Sequence, residues 1–513
     1  KQESFRILGP EEYMAKLREF GSEELAETYQ TVVEISRAIE EAGGRALLVG
    51  GSVRDMIAGQ ISKDFDIEVY GLEADRIEEV VNNFGKVSEV GKAFGILKIS
   101  LGSGIDIDVS LPRRDSKTGV GHRGFDVETD SNMSIEDAAR RRDFTINSVA
   151  ADPITRELFD PFGGVKDLRE RQLRVTDVER FHDDPLRVLR GLQFIARFGL
   201  EVEPETAQIM REMIPELKEL PKERILEEWK KLLLKSKKPS VGLSAGMMLG
   251  IFHEIHPELP PLIETPQEPE WHPEGDVWIH TLMVVDEAAK IVRREQLDPE
   301  RAWTVMLGAL AHDFGKPAVT EFKEGRWKAH GHEPAGAEPT KKFLAALGVD
   351  ALTRDKVVKT VTDHLTPAMF YVSEVVKGQK ISDGAIRRLA QRIHPATIQE
   401  LVMVAEADHA GRGPFVDREI PEQLLLPDGF PAGRWLLKRA RELKVELSKP
   451  VNLIQGRQLV QLGFKPGKPI GEMIRLANQL RDEKEFTADM VFAAIDGVTE
   501  PTVAVQKLEA LLT

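Results

Sequence analysis

Two groups of residues in this chain have types and spacings that could do chemistry. The first is Gly50-Gly51-Ser52-Val53-Arg54-Asp55, followed by Asp64-Phe65-Asp66. On a strand, residues two apart face the same way, so Asp64 and Asp66 would present two carboxylates side by side, with Asp108 on a neighbouring strand able to supply a third. Carboxylates so crowded repel unless cations sit between them. Two Mg2+ ions about 4 Å apart are the usual answer, in phosphoryl and nucleotidyl transfer. The turn through Gly51 and Ser52 offers N–H groups and a hydroxyl to a triphosphate, because glycine lets backbone approach closely. No Gly-x-x-x-x-Gly-Lys-Ser/Thr occurs, so this is not a Walker loop. Asp-x-Asp alone is most often a surface strand edge; a glycine turn, the Arg54-Asp55 pair and a later strand acid in the same stretch favour a site.

The second group is His280, His312-Asp313, His330, His332, His364 and Asp408. With no cysteine in the chain, any metal must be held by His, Asp and Glu. One His-Asp pair is expected by chance, and His182-Asp183 reads as that pair. His312-Asp313 differs because the apolar run Met306–Ala311 delivers two adjacent metal-binding groups at the end of a core element. Imidazole with carboxylate suits Mn2+, Ni2+, Co2+ or Mg2+, with water as the nucleophile. His330, His332 and His364 could contact a phosphate, bind a second metal, or be ordinary polar residues.

These residues need elements to hold them. Apolar positions Leu17, Leu25, Val32, Ile35 and Ile39 at helical spacing predict a helical segment over 1–44, stopped at Gly43-Gly44. Ala46–Val49, Ile67–Tyr70, Ile96–Leu101 and Ile105–Leu111 read as strands, giving a mixed α/β head over 45–155. Beyond it the pattern is helical: a neck over 156–256, including Asp184–Phe198, Pro204–Met213 and Glu223–Leu234, then a domain over 274–415. The six prolines of Pro257–Pro273 and the Pro/Gly-rich Gly411–Arg434 read as boundaries, leaving a helical tail over 435–513. There is no internal repeat.

At 513 residues the chain is too long for one core, and 41% hydrophobic with 30% charged residues excludes wholesale disorder. No apolar stretch reaches membrane-span length and the first residues lack the apolar core of a secretory signal, so a cytoplasmic location without membrane association is expected. A net charge of −15 argues against indiscriminate polyanion binding. Local patches remain: residues 218–238 carry eight Lys/Arg against four Glu. Such a helix is most often a solvated face, but a phosphate backbone could lie there.

The spacing of Gly-Gly-x-Val-Arg-Asp and Asp-x-Asp resembles the head of the class II tRNA nucleotidyltransferase and bacterial poly(A) polymerase family. Further motifs follow in the family's order. Arg141-Arg142-Asp143-Phe144-Thr145-Ile146-Asn147 resembles its ribose-recognition motif, which implies that Arg141 and Asp143 contact the sugar. Asp160-Pro161-Phe162-Gly163-Gly164 with Asp167-Leu168 matches the hinge. Asp183-Asp184-Pro185-Leu186-Arg187 resembles the base-reading motif, with Asp183 where Glu is usual. The segment Arg224–Leu234 resembles the fifth neck motif. The resemblance implies a polymerase-beta-like mixed sheet, Mg2+ at Asp64 and Asp66, Asp108 acting on the 3′-hydroxyl, and nucleotide contacts from Gly51, Ser52, Arg54, Arg141, Asp143, Asp184, Arg187 and Arg190. Asp184 and Arg187, three apart on one helical turn, would project to one side. An acceptor beside a donor complements cytosine or adenine, whereas uracil and guanine would set a carbonyl against the carboxylate. The basic, glycine-rich stretch 111–125 reads as a mobile loop, or as a plain hairpin.

The histidine-rich region resembles the HD phosphohydrolase fold, implying a metal held by His280, His312, Asp313 and Asp408, with His332 and His364 behind them. Together with Trp271-His272-Pro273-Glu274, it is similar to HD-containing bacterial tRNA nucleotidyltransferases. Such relatives are associated with 2′,3′-cyclic phosphodiesterase, 2′-nucleotidase and phosphatase activities. The resemblance covers residues 45 to 415 and implies addition of C and A from CTP and ATP to the tRNA 3′ end. A-adding, CC-adding and poly(A)-polymerising relatives share these motifs, and local sequence does not choose among them, although an unshortened 111–125 loop leans away from CC addition. A phosphohydrolase whose head only binds RNA is the alternative of a different class; the three intact acids argue against it. The sequence leaves oligomeric state and the tail around Gly456–Gly471 without an assignment.

Overall fold

The structure, a computed structural model, describes residues 10–62, 64–88, 96–101, 105–117, 125–413 and 429–512. They form two compact units, Lys1–Leu232 with Val241–Ile255, and Leu233–Ser240 with His256–Thr513. No helix among the described residues is long and apolar enough to cross a membrane.

The first unit is built on β1 (Arg45–Val49), β2 (Phe65–Tyr70), β3 (Lys86–Ser88), β4 (Ile96–Ser100), β5 (Asp106–Ser110), β6 (Arg113–Lys117), β7 (Phe125–Thr129), β8 (Ala150–Ala151) and β9 (Leu158–Phe159). Seven form one sheet in the order β3-β4-β5-β2-β1-β8-β9, in which β2 and β5 run parallel and the other neighbours antiparallel. β6 and β7 make a separate antiparallel pair, and the residues between them, with Gly119, Gly121, His122, Arg123 and Gly124 of the expected loop, lie outside the described residues. The predicted N-terminal helical segment is two helices, Pro10–Phe20 and Glu23–Glu41. The second starts where Ser22 accepts from the Leu25 N–H at 3.2 Å. Its buried Leu25, Tyr29, Val32, Ile35 and Ile39 cover β1 and β2. Each such apolar side chain stabilises the unit by about 1.5–3 kcal/mol.

Two expectations here need correction. Asp64 is not on a strand: β2 begins at Phe65, and the Asp64 carbonyl is tied by the Ser62 hydroxyl at 2.8 Å. Asp184 is not on the first turn of a helix: the helix is Leu186–Phe198, and the Asp184 side chain accepts from the Leu186 N–H at 3.1 Å from just outside it.

The second unit centres on helices Val277–Arg294, Pro299–Ala311, Ala351–Asp363 and Ile398–Ala410, which pack on one another. Residues Ala302–Ala311 are buried on every side, as expected of an all-apolar helix. A hairpin, Glu321–Lys323 with Arg326–Lys328, interrupts the region read as helical. Its two-residue turn, Glu324-Gly325, has positive φ at both positions, which selects an antiparallel return. Pro431–Glu442 starts inside the predicted linker and packs on Asp383–Ile393 and Ile398–Ala410, sharing a core of Ile386, Leu389, Leu401 and Leu436. The remaining tail has its own core around Phe464, Met473, Leu480 and Leu508.

Candidate active sites

In the first unit, parallel pairing sets Asp66 directly opposite Asp108. Burial first and the Asp108 charge second push the Asp66 carboxyl up to about 6; Arg142 opposes the rise and Asp64 adds to it. Asp108 is also raised, by burial, with Lys98 opposing and Asp106 and Asp64 adding. The three acids therefore share one electrostatic neighbourhood, but among the described residues no three of them bring oxygens within 4.8 Å of one another. Gly50, at φ +69°, passes close: a Cβ there would stand 3.4 Å from Arg142 Nη1 and 3.6 Å from Asp66 Oδ2. Only glycine accepts that conformation easily, so the turn lies against the acids.

The turn's other side chains face inward, contrary to the expectation that they reach a nucleotide. Ser52 is buried and donates to the Val49 carbonyl at 3.1 Å. Arg54 is 4% exposed; it donates to Asp55 at 2.7 and 3.0 Å and to Asn147 at 2.8 Å, and lies 4.3 Å over the Phe198 ring. It braces the turn against the neck. Gly51 begins the helix Gly51–Ile57.

Asp143 is likewise interior. Oδ1 accepts from the Phe144 N–H and from Asn147, and Oδ2 accepts from Arg190 Nε at 2.7 Å. Burial would raise this carboxyl, but Arg190 and Asn147 hold it below the usual range. Arg141 is half-buried at the end of Ile135–Arg140. Its neighbour Arg142, which the motif did not single out, faces the acids and pairs with Glu68 at 3.4 Å. Asp184 and Arg187 do not pair with each other. Asp184 takes a two-point contact from Arg224, at 2.7 and 3.1 Å, and Arg187 donates to the carbonyls of Arg180 and Arg141. Arg224 stands 40 residues from Asp184. Its place in the basic neck segment was visible in the sequence, its partner was not.

The second unit assembles its donors far more tightly. His280 is on the second turn of its helix, His312 and His364 close the C-termini of theirs, His332 opens His332–Ala335, and Asp408 is in the last turn of Ile398–Ala410. Gly315 lets the His312-Asp313 turn meet the His332 segment, since a Cβ there would fall 2.0 Å from the His332 carbonyl oxygen. His312, His332 and His364 each place Nδ1 2.7–2.8 Å from a backbone carbonyl three residues back, of Ala309, Ala329 and Val361. That contact fixes the proton on Nδ1 and turns the Nε2 lone pair inward. The Nε2 atoms then face each other, His312 to His280 at 3.3 Å and His332 to His364 at 3.4 Å.

Asp313 lies between the two pairs, with Oδ2 3.1 Å from His312 Nε2 and Oδ1 3.4 Å from His332 Nε2. Both its oxygens are buried without a hydrogen bond; Lys316 Nζ is 2.7 Å from Oδ2, an ion pair outside hydrogen-bonding angles. Burial would raise Asp313, but His312 and Lys316 hold it well below the carboxylate range. Asp408 Oδ1 is 3.0 Å from His280 Nε2. Two three-ligand sets share Asp313, His280-His312-Asp313 and Asp313-His332-His364, and a third group, His272-Glu274-His280, adjoins them. Facing lone pairs around an orphaned carboxylate are what a divalent ion would satisfy, so the donor set fits a metal.

The supposed boundary segment belongs to this site. Glu274 Oε1 is 2.8 Å from His280 Nδ1 and 2.9 Å from His272 Nδ1. A pocket of about 530 Å3 over the donors is lined by Gln267, Glu268, Trp271 and His272 as well as by Asp313, Lys316, His330, His332, His364, Asp408 and Arg412. Proline content suggested a linker; only the tertiary contacts reveal a wall.

Comparison with known proteins finds three family profiles along the chain. The profile of the Poly A polymerase head domain matches residues 46–174, that of the probable RNA and SrmB-binding site of polymerase A residues 199–262, and that of the HD domain residues 277–409. The multifunctional CCA protein of Xanthomonas campestris pv. campestris (strain B100) is 36% identical over 375 residues, 71% of this chain and 85% of that protein. The Bacillus stearothermophilus CCA-adding enzyme in complex with CTP has a similar fold, with TM-score 0.59 and 20% identity over 94% of this chain and 97% of that one. So has the Thermotoga maritima CCA-adding enzyme complexed with tRNA, with TM-score 0.54 and 17% identity over 99% of each chain.

Proposed function

The chain belongs to the class II tRNA nucleotidyltransferase and poly(A) polymerase family, in its HD-containing form, and from that premise we propose that it adds the 3′-terminal CCA to tRNA from CTP and ATP and carries a second, phosphohydrolytic centre. The observation that supports the first activity best is the register that sets Asp66 against Asp108 with Asp64 in the same field.

Asp64, Asp66 and Asp108 are hard oxygen donors suited to Mg2+, which when bound supplies charge neutralisation for the triphosphate. The chain's own groups do the rest. An Asp108 oxygen takes the proton of the tRNA 3′-hydroxyl; the freed oxygen bonds to the α-phosphorus, the α–β bridging bond breaks and pyrophosphate leaves. Arg142, beside Asp66, draws the triphosphate towards the acids. Base choice falls to Asp184 and Arg187. Asp184 Oδ2 accepts from Arg224, and its second lone pair would accept from the exocyclic amine of cytosine or adenine. Arg187 offers its remaining donors to the adjacent ring acceptor. Arg190 and Asp143 act as a buried anchor beneath the sugar rather than as its direct ligands.

In the second centre the two histidine pairs around Asp313 would hold two divalent ions, which supply Lewis acidity and an activated water. Lys316 and Arg412, both lining the pocket, would hold the phosphoester anion.

The test offers tRNA lacking three, two or one terminal nucleotides together with each labelled nucleoside triphosphate. Incorporation of C, C and then A is expected. Incorporation of A alone, onto tRNA ending in CC only, would replace CCA addition by A addition.

A further inference from the structure

The pocket above the histidine cluster has a polar floor and an aromatic wall. Trp271 and Trp327 line it together with Asp313, Lys316, His332 and Arg412. Trp271 is 40% exposed, which leaves its side chain accessible from the pocket. One residue ties together the two segments that carry the tryptophans: the Glu268 carbonyl accepts from the Trp271 backbone N–H at 3.0 Å, and the Glu268 carboxylate accepts from the Trp327 backbone N–H at 3.1 Å. An ion pair between Arg326 and Glu270 at 2.8 Å makes a second link between the hairpin and this segment, and Phe322 supports Trp327 edge-on at 5.0 Å. On the floor, Arg412 Nε is buried without a hydrogen-bond partner.

We infer that Trp271 and Trp327 are the nucleobase-stacking wall of this centre, the two side chains that make it favour base-bearing over abasic phosphoesters. The inference rests on the phosphohydrolase reading above. The volume of about 530 Å3 suits one nucleotide. Lys316 and Arg412 take the phosphoryl oxygens over the donors, and the base lies against indole. Stacking tolerates any base, because each has a π-face. A mononucleotide and the 3′ end of an RNA share this chemistry.

The experiment measures kcat/KM of the metal-loaded full chain on adenosine 2′,3′-cyclic phosphate, on a trinucleotide ending in a 2′,3′-cyclic phosphate, and on 1-O-methylribose 2′,3′-cyclic phosphate, which lacks the base. Trp271→Ala and Trp327→Ala should each lower kcat/KM for base-bearing substrates about tenfold, mainly through KM, and leave the abasic ester unchanged. Trp271→Phe should restore most of the loss. Equal losses on all three esters, or none, would overturn the wall. A wall that senses only the trinucleotide would assign RNA ends as the substrate; one that senses both would assign the terminal nucleotide itself. If the wild type hydrolyses none of the three, the phosphohydrolase reading fails, and the wall is judged separately by binding: adenosine 3′-monophosphate should quench tryptophan fluorescence in the wild type and about tenfold more weakly in Trp271→Ala. Unchanged affinity there would reject it.

Discussion

The two centres of this chain solve the same problem, holding charged donors close together, in opposite ways. In the head, Asp66 and Asp108 face each other across neighbouring strands with Asp64 just before the first of them; Arg142 and Lys98 only partly offset the charge, and Asp66 and Asp108 are pushed up by burial and by neighbouring carboxylates. In the helical unit the donors are locked: backbone carbonyls fix three histidine tautomers, and His312 and Lys316 hold Asp313 low. On the proposed reading the head centre is open, to be completed by cations that arrive with a triphosphate, and the helical centre is built in advance for a resident metal. An open site suits a reaction whose ligands must leave after each addition, and a closed one suits repeated hydrolysis at a fixed centre.

The largest effect that can break this comparison is on catalysis. Asp66→Asn should lower nucleotide incorporation by about 10³-fold while the protein melts no lower than wild type, because the substitution relieves repulsion. A clear loss of stability would mean that the head acids are structural.

Next in size is Asp143→Ala. Removing a buried carboxylate that pairs with Arg190 should destabilise the first unit by about 3 kcal/mol in denaturant unfolding. Because the Asp143 carboxyl is held below its unfolded value of about 3.9, its contribution is complete above that pH and is lost as pH falls through the lower folded value. The variant and wild type should therefore converge in acid.

Metal addition gives a smaller, site-selective effect. Mn2+ at a hundredfold excess over its dissociation constant should stabilise the helical unit by about 2.7 kcal/mol, and Asp313→Asn should abolish that gain. The smallest effect is the pH dependence of metal affinity, about tenfold per pH unit. At the head, Mg2+ affinity should weaken only below pH about 6, where Asp66 takes up a proton. His280 is held above its usual value by Asp408 and Glu274 in spite of burial, so metal binding at the helical centre must expel a proton and should keep strengthening up through neutral pH. Identical profiles by calorimetry would remove the distinction between the centres.

Local spacing made part of this legible from sequence. Asp64-Phe65-Asp66 and His312-Asp313 stand out because chemistry needs adjacent or alternate residues there, and the strand carrying Asp108 alternates visibly. Residues joined only by the fold stayed hidden. Nothing local distinguishes Arg142 from Arg141, or links Arg224 to Asp184, or makes Glu268 a wall rather than part of a proline-rich linker. Arg54 and Ser52 sit in the expected motif yet face inward, since a motif specifies a turn and not where its side chains point. The hairpin at Glu321–Lys328 was missed because its strands are too short to show a period of two against helical neighbours.

The most direct measurement pairs two variants of the full chain, Asp66→Asn and Asp313→Asn, each assayed for CTP and ATP incorporation into tRNA lacking its last three nucleotides and for hydrolysis of adenosine 2′,3′-cyclic phosphate. Two independent centres predict that Asp66→Asn loses incorporation and keeps hydrolysis, and that Asp313→Asn does the reverse. Loss of both activities in either variant, or full incorporation by Asp66→Asn, would contradict the account.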